Sequence, residues 1–365
     1  MSIIIFFIIL LVLVLVHEFG HFFTAKKFGI RVDEFGFGFP PKLFGIKWGE
    51  TEYTFNLLPI GGFVKIFGEN PDEENTTGPD SARSFVNKAK WKQAIVLLAG
   101  VFMNFMLAWV LFSFGFMSGL PTSVGSEREG SILENVNTVI ISVSPESPAF
   151  KSGLKIGDKI ISLKSNNSFI SEINPENIKS FIANNGGEEI EVGYVRGNNE
   201  EDFKFLKVKP EIIDKTPKIG ISMDEIGIAK LPFFSAFSEG MKLTVYVTKN
   251  TALGLYSLIK DALVGKGSLS AVTGPVGLVG VVGDAYNFGF AYLLSFAALI
   301  SVNLAVINLV PFPALDGGRL LFLLIEKIKG SRINPKFFNF ANMIGFGILI
   351  LFMIFVTYHD IVKLF

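Results

Sequence analysis

The chain has no cysteine, only three histidines and little charge, with 18% of its 365 residues being Asp, Glu, Lys or Arg. The first absence excludes a disulfide framework and any thiolate metal site, so a transition metal would have to be held by imidazole and carboxylate. The second restricts the imidazoles to His17, His21 and His359. The third, beside an apolar content of 50% and a mean hydropathy of +0.48, argues against a soluble enzyme and for a membrane protein. Acidic and basic residues balance at 33 each, and the basic ones form no stripe interleaved with stacking aromatics, so no nucleic-acid partner is expected.

What is present is long apolar runs. The first, from Ser2 to about Ala25, can cross a hydrocarbon core at about 1.5 Å per residue. It has no basic leader and no small-residue cleavage site, which argues against a signal peptide. Further runs at about Ala94–Met117, Phe290–Val310 and Phe338–Val356 make four candidate spans. Lysines and arginines concentrate between the first two runs (Lys26, Lys27, Arg31, Lys42, Lys47, Lys65, Arg83, Lys88) and before the last (Lys327, Lys329, Arg332, Lys336). The positive-inside rule then makes both loops cytoplasmic and puts the two termini and the 120–230 segment outside. That segment alternates strand-like runs (Val139–Val143, Lys159–Leu163, Glu189–Arg196, Phe203–Lys209) with Gly and Asn turns. Two short helices interrupt them, one around Ala149–Gly153 and one starting at Asn174-Pro175. Between Pro232 and Gly265, helical alternation around Lys242, Lys249 and Lys260 predicts a helix lying on the membrane surface, a fifth span being the alternative. The stretch Phe35–Phe67 reads as a β-hairpin or small sheet, apolar enough to dip into the membrane.

Inside the first run stands His17-Glu18-Phe19-Gly20-His21. On a helix, residues four apart share a face, so both imidazoles can reach one ion, with Glu18 close to a water on it. Zinc lowers the pKa of such a water toward neutrality, and a neighbouring carboxylate can take its proton: the chemistry of amide hydrolysis. With three histidines, a chance occurrence of the pattern has an expected count on the order of 0.001. His and Glu within a span are costly and normally face a functional cavity. Gly20 lets a neighbouring backbone or a substrate approach. A catalytic zinc site needs a third protein ligand, and Asp316 is the best candidate, lying in Asn308-Leu-Val-Pro-Phe-Pro-Ala-Leu-Asp316-Gly-Gly between two apolar stretches. Pro311 and Pro313 break any helix there, and broken backbone at membrane depth implies a cavity. A helix-capping carboxylate is the competing role. His359, at the outward end of the last run, reads as an interfacial residue.

His17-Glu18-Phe19-Gly20-His21, Gly100-Val-Phe-Met-Asn104 and Leu315-Asp316-Gly317, in that order, resemble the site-2 protease family of intramembrane zinc metalloproteases, most closely its bacterial regulator-of-sigma-E type. The resemblance implies that His17, His21 and Asp316 bind Zn2+, that Glu18 is the base, and that Asn308 and Asn303 hold substrate, while Asn104 looks more like helix-packing glue. It also implies that Ser147-Pro-Ala-Phe-Lys-Ser-Gly-Leu-Lys-Ile-Gly-Asp158 belongs to a PDZ domain, which binds extended peptides or peptide C-termini by strand addition, here between the 139–143 strand and the helix after Pro175. The best-studied bacterial members carry two such domains, whereas the space here fits one.

The expected fold is an α-helical polytopic membrane protein of about four transmembrane helices with a membrane-associated β-hairpin or sheet and an inserted α+β PDZ domain. Its parts are 1–26 (first span), 27–92 (cytoplasmic loop with the hairpin), 93–119 (second span), 120–230 (extracytoplasmic PDZ domain), 231–268 (interfacial helix), 286–325 (third span with the Leu-Asp-Gly motif) and 336–360 (fourth span). The expected home is a bacterial inner membrane, with the active site toward the cytoplasmic side of the bilayer. Substrates implied by the resemblance are transmembrane proteins such as anti-sigma factors, or remnant signal peptides. A membrane zinc transporter gives no reason for Glu18 within the histidine pair and would often show repeated halves. A PDZ scaffold without activity is disfavoured by the complete set of hydrolytic residues.

Overall fold

The computed structural model describes residues 2–125, 132–166, 168–170, 172–197, 203–213, 216–265 and 274–362. Helix α1 (Ser2–Lys27) leads into strands β1 (Val32–Trp48) and β2 (Thr51–Ile66), a short helix α2 (Glu73–Thr77) and the long α3 (Lys90–Ser118). There follow β3 (Leu120–Ser123), β4 (Ile132–Val143), α4 (Pro148–Ser152), β5 (Lys159–Ser165), β6 (Ser168–Phe169), α5 (Pro175–Asn184), β7 (Ile190–Val195), β8 (Phe203–Val208), β9 (Glu211–Ile213), β10 (Thr216–Lys218) and β11 (Ile221–Lys230). Five helices close the chain: α6 (Phe233–Leu263), α7 (Pro275–Phe288), α8 (Phe290–Asn308), α9 (Asp316–Lys329) and α10 (Pro335–Val362). Among the described residues α1, α3, α8 and α10 are long and apolar enough to cross a membrane. These are the four runs legible in the sequence.

The chain divides into two compact units. The first comprises Met1–Phe112, Gly240–Gly283 and Phe296–Phe365. Here α1 and α3 touch backbone to backbone at Gly20, where a Cβ would stand 2.4 Å from the Ala99 carbonyl oxygen. One apolar cluster (Ala25, Ile30, Val32, Ile66, Phe85, Val96, Leu97) joins the end of α1 and the base of the hairpin to α3. A second (Ala108, Phe112, Ala298, Val302, Val306) joins α3 to α8, with Leu243, Val247 and Leu255 of α6 laid against it. The opposite side of α6 exposes Tyr246, Leu253 and Tyr256. The predicted 231–268 helix is thus present over 233–263, and its residues 266–268 lie outside the described ones.

The hairpin is a small sheet. Residues 34–37 pair with 62–65 on one edge and with 52–55 on the other, while 42–48 fold back on 51–56. Its Gly49-Glu50 turn is tied down, because Glu50 takes Lys26 Nζ at 2.6 Å and Arg83 Nη2 at 2.6 Å. Burial alone would raise the Glu50 carboxyl, and these two cations outweigh it, holding the group below the usual carboxylate range. Leu43, Phe44, Ile46 and Trp48 are exposed on this sheet, an apolar edge suited to lipid. Helix α7 falls partly outside the predicted elements. Its N-terminus is held by Asp360 of α10, which accepts from the N–H groups of Gly274 (3.1 Å) and Gly277 (2.8 Å). The predicted 286–325 segment is two helices, α8 and α9, separated where Pro311 and Pro313 demand it.

The second unit comprises Ser113–Glu239 and Asp284–Ser295. Its sheet has the order β3-β11-β4-β5-β7-β8, with β6 against β5. Ile140, Leu163, Ile178, Ile182, Ile190, Val192 and Ile219 form the core under α4 and α5. The second helix begins as read, with Asn174 Oδ1 accepting from Asn177 N; the first starts at Pro148, capped by Ser147 Oγ accepting from Phe150 N, so a proline follows each cap. One expectation needs correction. The 139–143 strand offers no free edge for the expected strand addition, because β4 is interior to the sheet, paired along its length with β11 and joined at Val139 to β5. Strand β11 adds Ile221 and Met223 to the core that Ile140 and Val143 of β4 also enter, and β3 pairs with its far half only, from Ile226 to Ala229. The physical reason is the order of pairing, which period-two patterning within one strand does not encode.

Asp158 is fully buried, accepting from Lys155 N at 2.8 Å and from Arg196 Nε and Nη2 at 2.6 and 2.7 Å. Arg196→Ala strands that carboxylate, and the expected loss is about 2–4 kcal/mol, confined to this unit. Hydrogen exchange should show faster opening of β5, β7 and β8 with α1 and α3 unchanged.

Candidate active site

Helix periodicity places His17 and His21 one turn apart on one side of α1, both more than nine-tenths buried. Their Nε2 atoms are 3.1 Å apart, and Oδ2 of Asp316, the first residue of α9, lies 3.1 Å from one and 3.3 Å from the other. His21 Nδ1 stands 2.8 Å from the Val96 carbonyl oxygen, which can only accept, so Nδ1 carries the proton and Nε2 offers a lone pair. Three electron-rich atoms in one small triangle repel unless a proton or cation lies among them. Ligand atoms on a tetrahedral zinc ion at about 2.0–2.1 Å lie about 3.3–3.4 Å apart, so the triangle has the right size, and two imidazoles with one carboxylate are the right donors. Among the described residues this is the group of His and carboxylate side chains able to hold a metal ion together.

Helix α3 supplies the support. A Cβ on Gly100 would stand 2.3 Å from His21 Nε2 and 2.8 Å from His17 Cε1, so only glycine leaves the imidazoles their place. One turn to either side, Val96 and Asn104 meet the two Nδ1 atoms. The Asn104 amide stands 3.3 Å from His17 Nδ1 through Nδ2, and its Oδ1 is buried without a partner among the described residues. With Nε2 given to a bound metal, His17 Nδ1 would bear the proton and require an acceptor. Turning the amide by 180° presents Oδ1 and satisfies both atoms. Ser301 of α8 donates to the Asn104 carbonyl oxygen at 2.8 Å, fixing this turn of α3. Asn104 is therefore more than packing glue.

Asp316 reaches the histidines because the chain is broken before it. Asp316 is the first helical residue rather than the cap, which is Leu315, so the competing capping role is not the one it takes. Gly317 and Gly318 are pressed against the carbonyls of Leu309 and Phe312, where a Cβ would lie 2.3 and 2.1 Å from oxygen. The Leu-Asp-Gly-Gly spacing is thus the condition for folding this break into a tight loop.

Glu18 opens into the same cleft and accepts at Oε2 from the Val64 N–H at 3.1 Å. Asn308, Asn104, Phe63, Glu69 and Arg319 also line this space of about 290 Å³, far above the about 10–15 Å³ that one water needs. Asn303 is directed elsewhere, its Oδ1 taking Thr251 Oγ1 of α6 at 3.4 Å. The structure thus brings together His17, Glu18, His21, Asp316 and Asn308, and leaves Asn303 outside. His359, in the last turn of α10, is not among the cleft residues. The Arg319–Glu69 ion pair at the cleft wall was missed by sequence reasoning. Its one signal is that Arg319 follows Asp316 by three, on the same helix face.

Comparison with known proteins places this geometry. The model of peptidase family M50 matches residues 5–352. A protein of Clostridium acetobutylicum, provisionally named a zinc metalloprotease, is 35% identical over 96% of this chain and 94% of its own length. The regulator of sigma-W protease RasP of Bacillus subtilis is 30% identical over 100% of this chain and 99% of its own length. The zinc metalloprotease RasP of Geobacillus kaustophilus is also 30% identical, over 100% of this chain. The chain belongs to peptidase family M50, the site-2 proteases. It is a zinc metalloprotease and a multi-pass membrane protein.

Gly100→Ala is expected to lower bound zinc at least tenfold, because the methyl occupies the imidazoles' space. Gly347→Ala, at a site with nothing within 4 Å, is the matched control and keeps its zinc. Metal analysis of the purified proteins reads both.

Proposed function

We propose that this chain cleaves peptide bonds within or next to the transmembrane segments of membrane proteins, with His17, His21 and Asp316 as zinc ligands and Glu18 as the general base. The observation that carries the proposal is the three-atom triangle with a second carboxylate, Glu18, opening into the same cleft. Zinc held there supplies Lewis-acid activation of water and polarisation of the scissile carbonyl. The Val64 N–H holds one oxygen of Glu18, so the carboxylate is anchored while its other oxygen remains to take the proton of the attacking water. The same carboxyl then passes that proton to the departing amine nitrogen. Asn308 lines the cleft with an amide that pairs with unwound substrate backbone. For Asn303, the Thr251 contact favours pairing of α8 with α6 over a substrate contact.

A helical substrate hides its carbonyls in internal hydrogen bonds and must unwind to react. The 62–65 run is paired with 34–37 on one side only, and on the other its Val64 N–H reaches the cleft. A substrate strand laid along that edge arrives next to Glu18.

The second unit is proposed to be a single PDZ domain, extracytoplasmic together with both termini, with the active site toward the cytoplasmic side of a bacterial inner membrane. Support for the PDZ reading lies in the half of β11 beyond the reach of β3, beside α5, where an extended peptide or a peptide C-terminus could add as a strand. Support for the orientation lies in the basic loops between α1 and α3 and before α10. Substrates of this kind include anti-sigma factors and remnant signal peptides, in line with the sigma-W role in the name of the Bacillus relative.

The test compares purified variants for bound zinc and for cleavage of a helical membrane peptide. Glu18→Gln is expected to keep zinc and lose at least 10³-fold in cleavage, whereas His17→Ala, His21→Ala and Asp316→Asn lose zinc as well. If Glu18→Gln cleaves at the parental rate, Glu18 is not the base. Val64→Pro removes the anchoring N–H and the strand edge together, so cleavage falls while zinc stays. Unchanged cleavage in that variant would sink the edge-addition reading.

A further inference from the structure

We propose that Asn342 of α10 is a positioning residue for Asp316, acting through the backbone of the 309–315 break. The proposal rests on the ligand role of Asp316 put forward above.

Ala314, two residues before Asp316, has φ of 78°. This is the left-handed region, which is strained for an L-residue and persists only where neighbours enforce it. The neighbour is Asn342, whose Oδ1 accepts from the Ala314 N–H at 3.1 Å. Because that donor is a backbone N–H, the amide orientation is decided: oxygen faces Ala314. Its Nδ2 is shut off from solvent and has no partner among the described residues, a desolvation cost borne at this one position of α10.

One turn further along α10, Gly345 admits the preceding residue of the break. A Cβ there would stand 2.4 Å from the Pro313 carbonyl oxygen. Helix α10 therefore grips two consecutive residues, Pro313 and Ala314, at the point where the chain turns into α9. The φ of Ala314 sets the direction in which α9 leaves, and Asp316 is its first residue. A return of Ala314 to the ordinary right-handed region would rotate the following chain and draw the carboxylate off the histidines. Asn342 is absent from the groups around the histidine nitrogens and from the cleft lining, so its influence passes through that one hydrogen bond.

The test uses the full chain in detergent, with zinc retention against a graded chelator as the first readout and peptide cleavage as the second. Asn342→Leu keeps the size and removes the acceptor, and zinc affinity is expected to fall 10–100-fold, the usual effect of losing an outer partner of a ligand. Ala314→Gly in the Asn342→Leu background is expected to restore most of that loss, because glycine adopts positive φ without a partner's help. A residue that merely fills space on α10 would show no such rescue. If Asn342→Leu does not fold, Asn342→Ser, too short to reach Ala314, is read in the same way with the same second substitution. Zinc retention at the parental level in the Asn342 variant, or a loss that Ala314→Gly leaves untouched, overturns the proposal. Asp316→Asn separates the two levels: if that variant keeps zinc, the ligand assignment fails before Asn342 is in question.

Discussion

Three atoms, two imidazole nitrogens and a carboxylate oxygen, meet within 3.3 Å of one another on segments 295 or more residues apart in sequence, and a shared proton or a bound cation is what makes that meeting favourable. Most of the first unit follows from this constraint. Each imidazole must present Nε2, so each needs an acceptor at Nδ1, and α3 provides them from Val96 and from Asn104. Both imidazoles must fit against that helix, so the residue between those two partners has no side chain. The helices must approach closely enough for this, and Gly20 of α1 meets the Ala99 carbonyl. A single turn-by-turn match between α1 and α3 thus fixes ring orientation, tautomer and distance together.

Asp316, proposed as the third ligand, poses the opposite problem. A carboxylate entering from another helix at membrane depth must arrive without leaving backbone groups unpaired in lipid. Prolines at 311 and 313 bring no N–H that needs a partner, the two glycines after Asp316 let α9 start against the carbonyls of the break, and α10 takes up the Ala314 N–H. The break is costly locally and is carried by contacts with its neighbours. Across the cleft, Glu18 accepts from a backbone N–H of the small sheet rather than from a side chain, which ties the proposed base to the 62–65 strand edge.

The chemistry was largely legible in the sequence, and the architecture around it less so. His17, Glu18 and His21 are readable because helix geometry turns a spacing of four into a shared face, and Asp316 because prolines between apolar runs have few other uses in a membrane. The four spans follow from length and composition alone. What could not be read is what depends on partners distant in the chain. Asn104 and Asn303 look alike as single polar residues in apolar runs, yet one meets an imidazole and the other a threonine of α6. The expected place for strand addition failed for the same reason: the 139–143 run reads as a strand, but its interior position depends on β11, which the sequence reading did not include, and on sheet order. Helix α7 was missed because its charge partner, Asp360, is 83 residues from Gly277.

The Arg319–Glu69 pair shows how the two requirements join. Arg319 shares the face of α9 with Asp316, and Glu69 follows closely on the strand whose Val64 N–H holds Glu18. An ion pair of this kind, about one-fifth exposed at each side chain, is screened little by solvent and draws α9 toward the sheet. The carboxylate among the histidines and the carboxylate held at the strand are therefore not placed independently. A shift of the sheet that moved Glu18 relative to a substrate would pull on α9 through Glu69, and thus on Asp316. On the roles proposed above, a peptide added at the 62–65 edge would bear on Glu18 directly and, through Glu69 and Arg319, on Asp316.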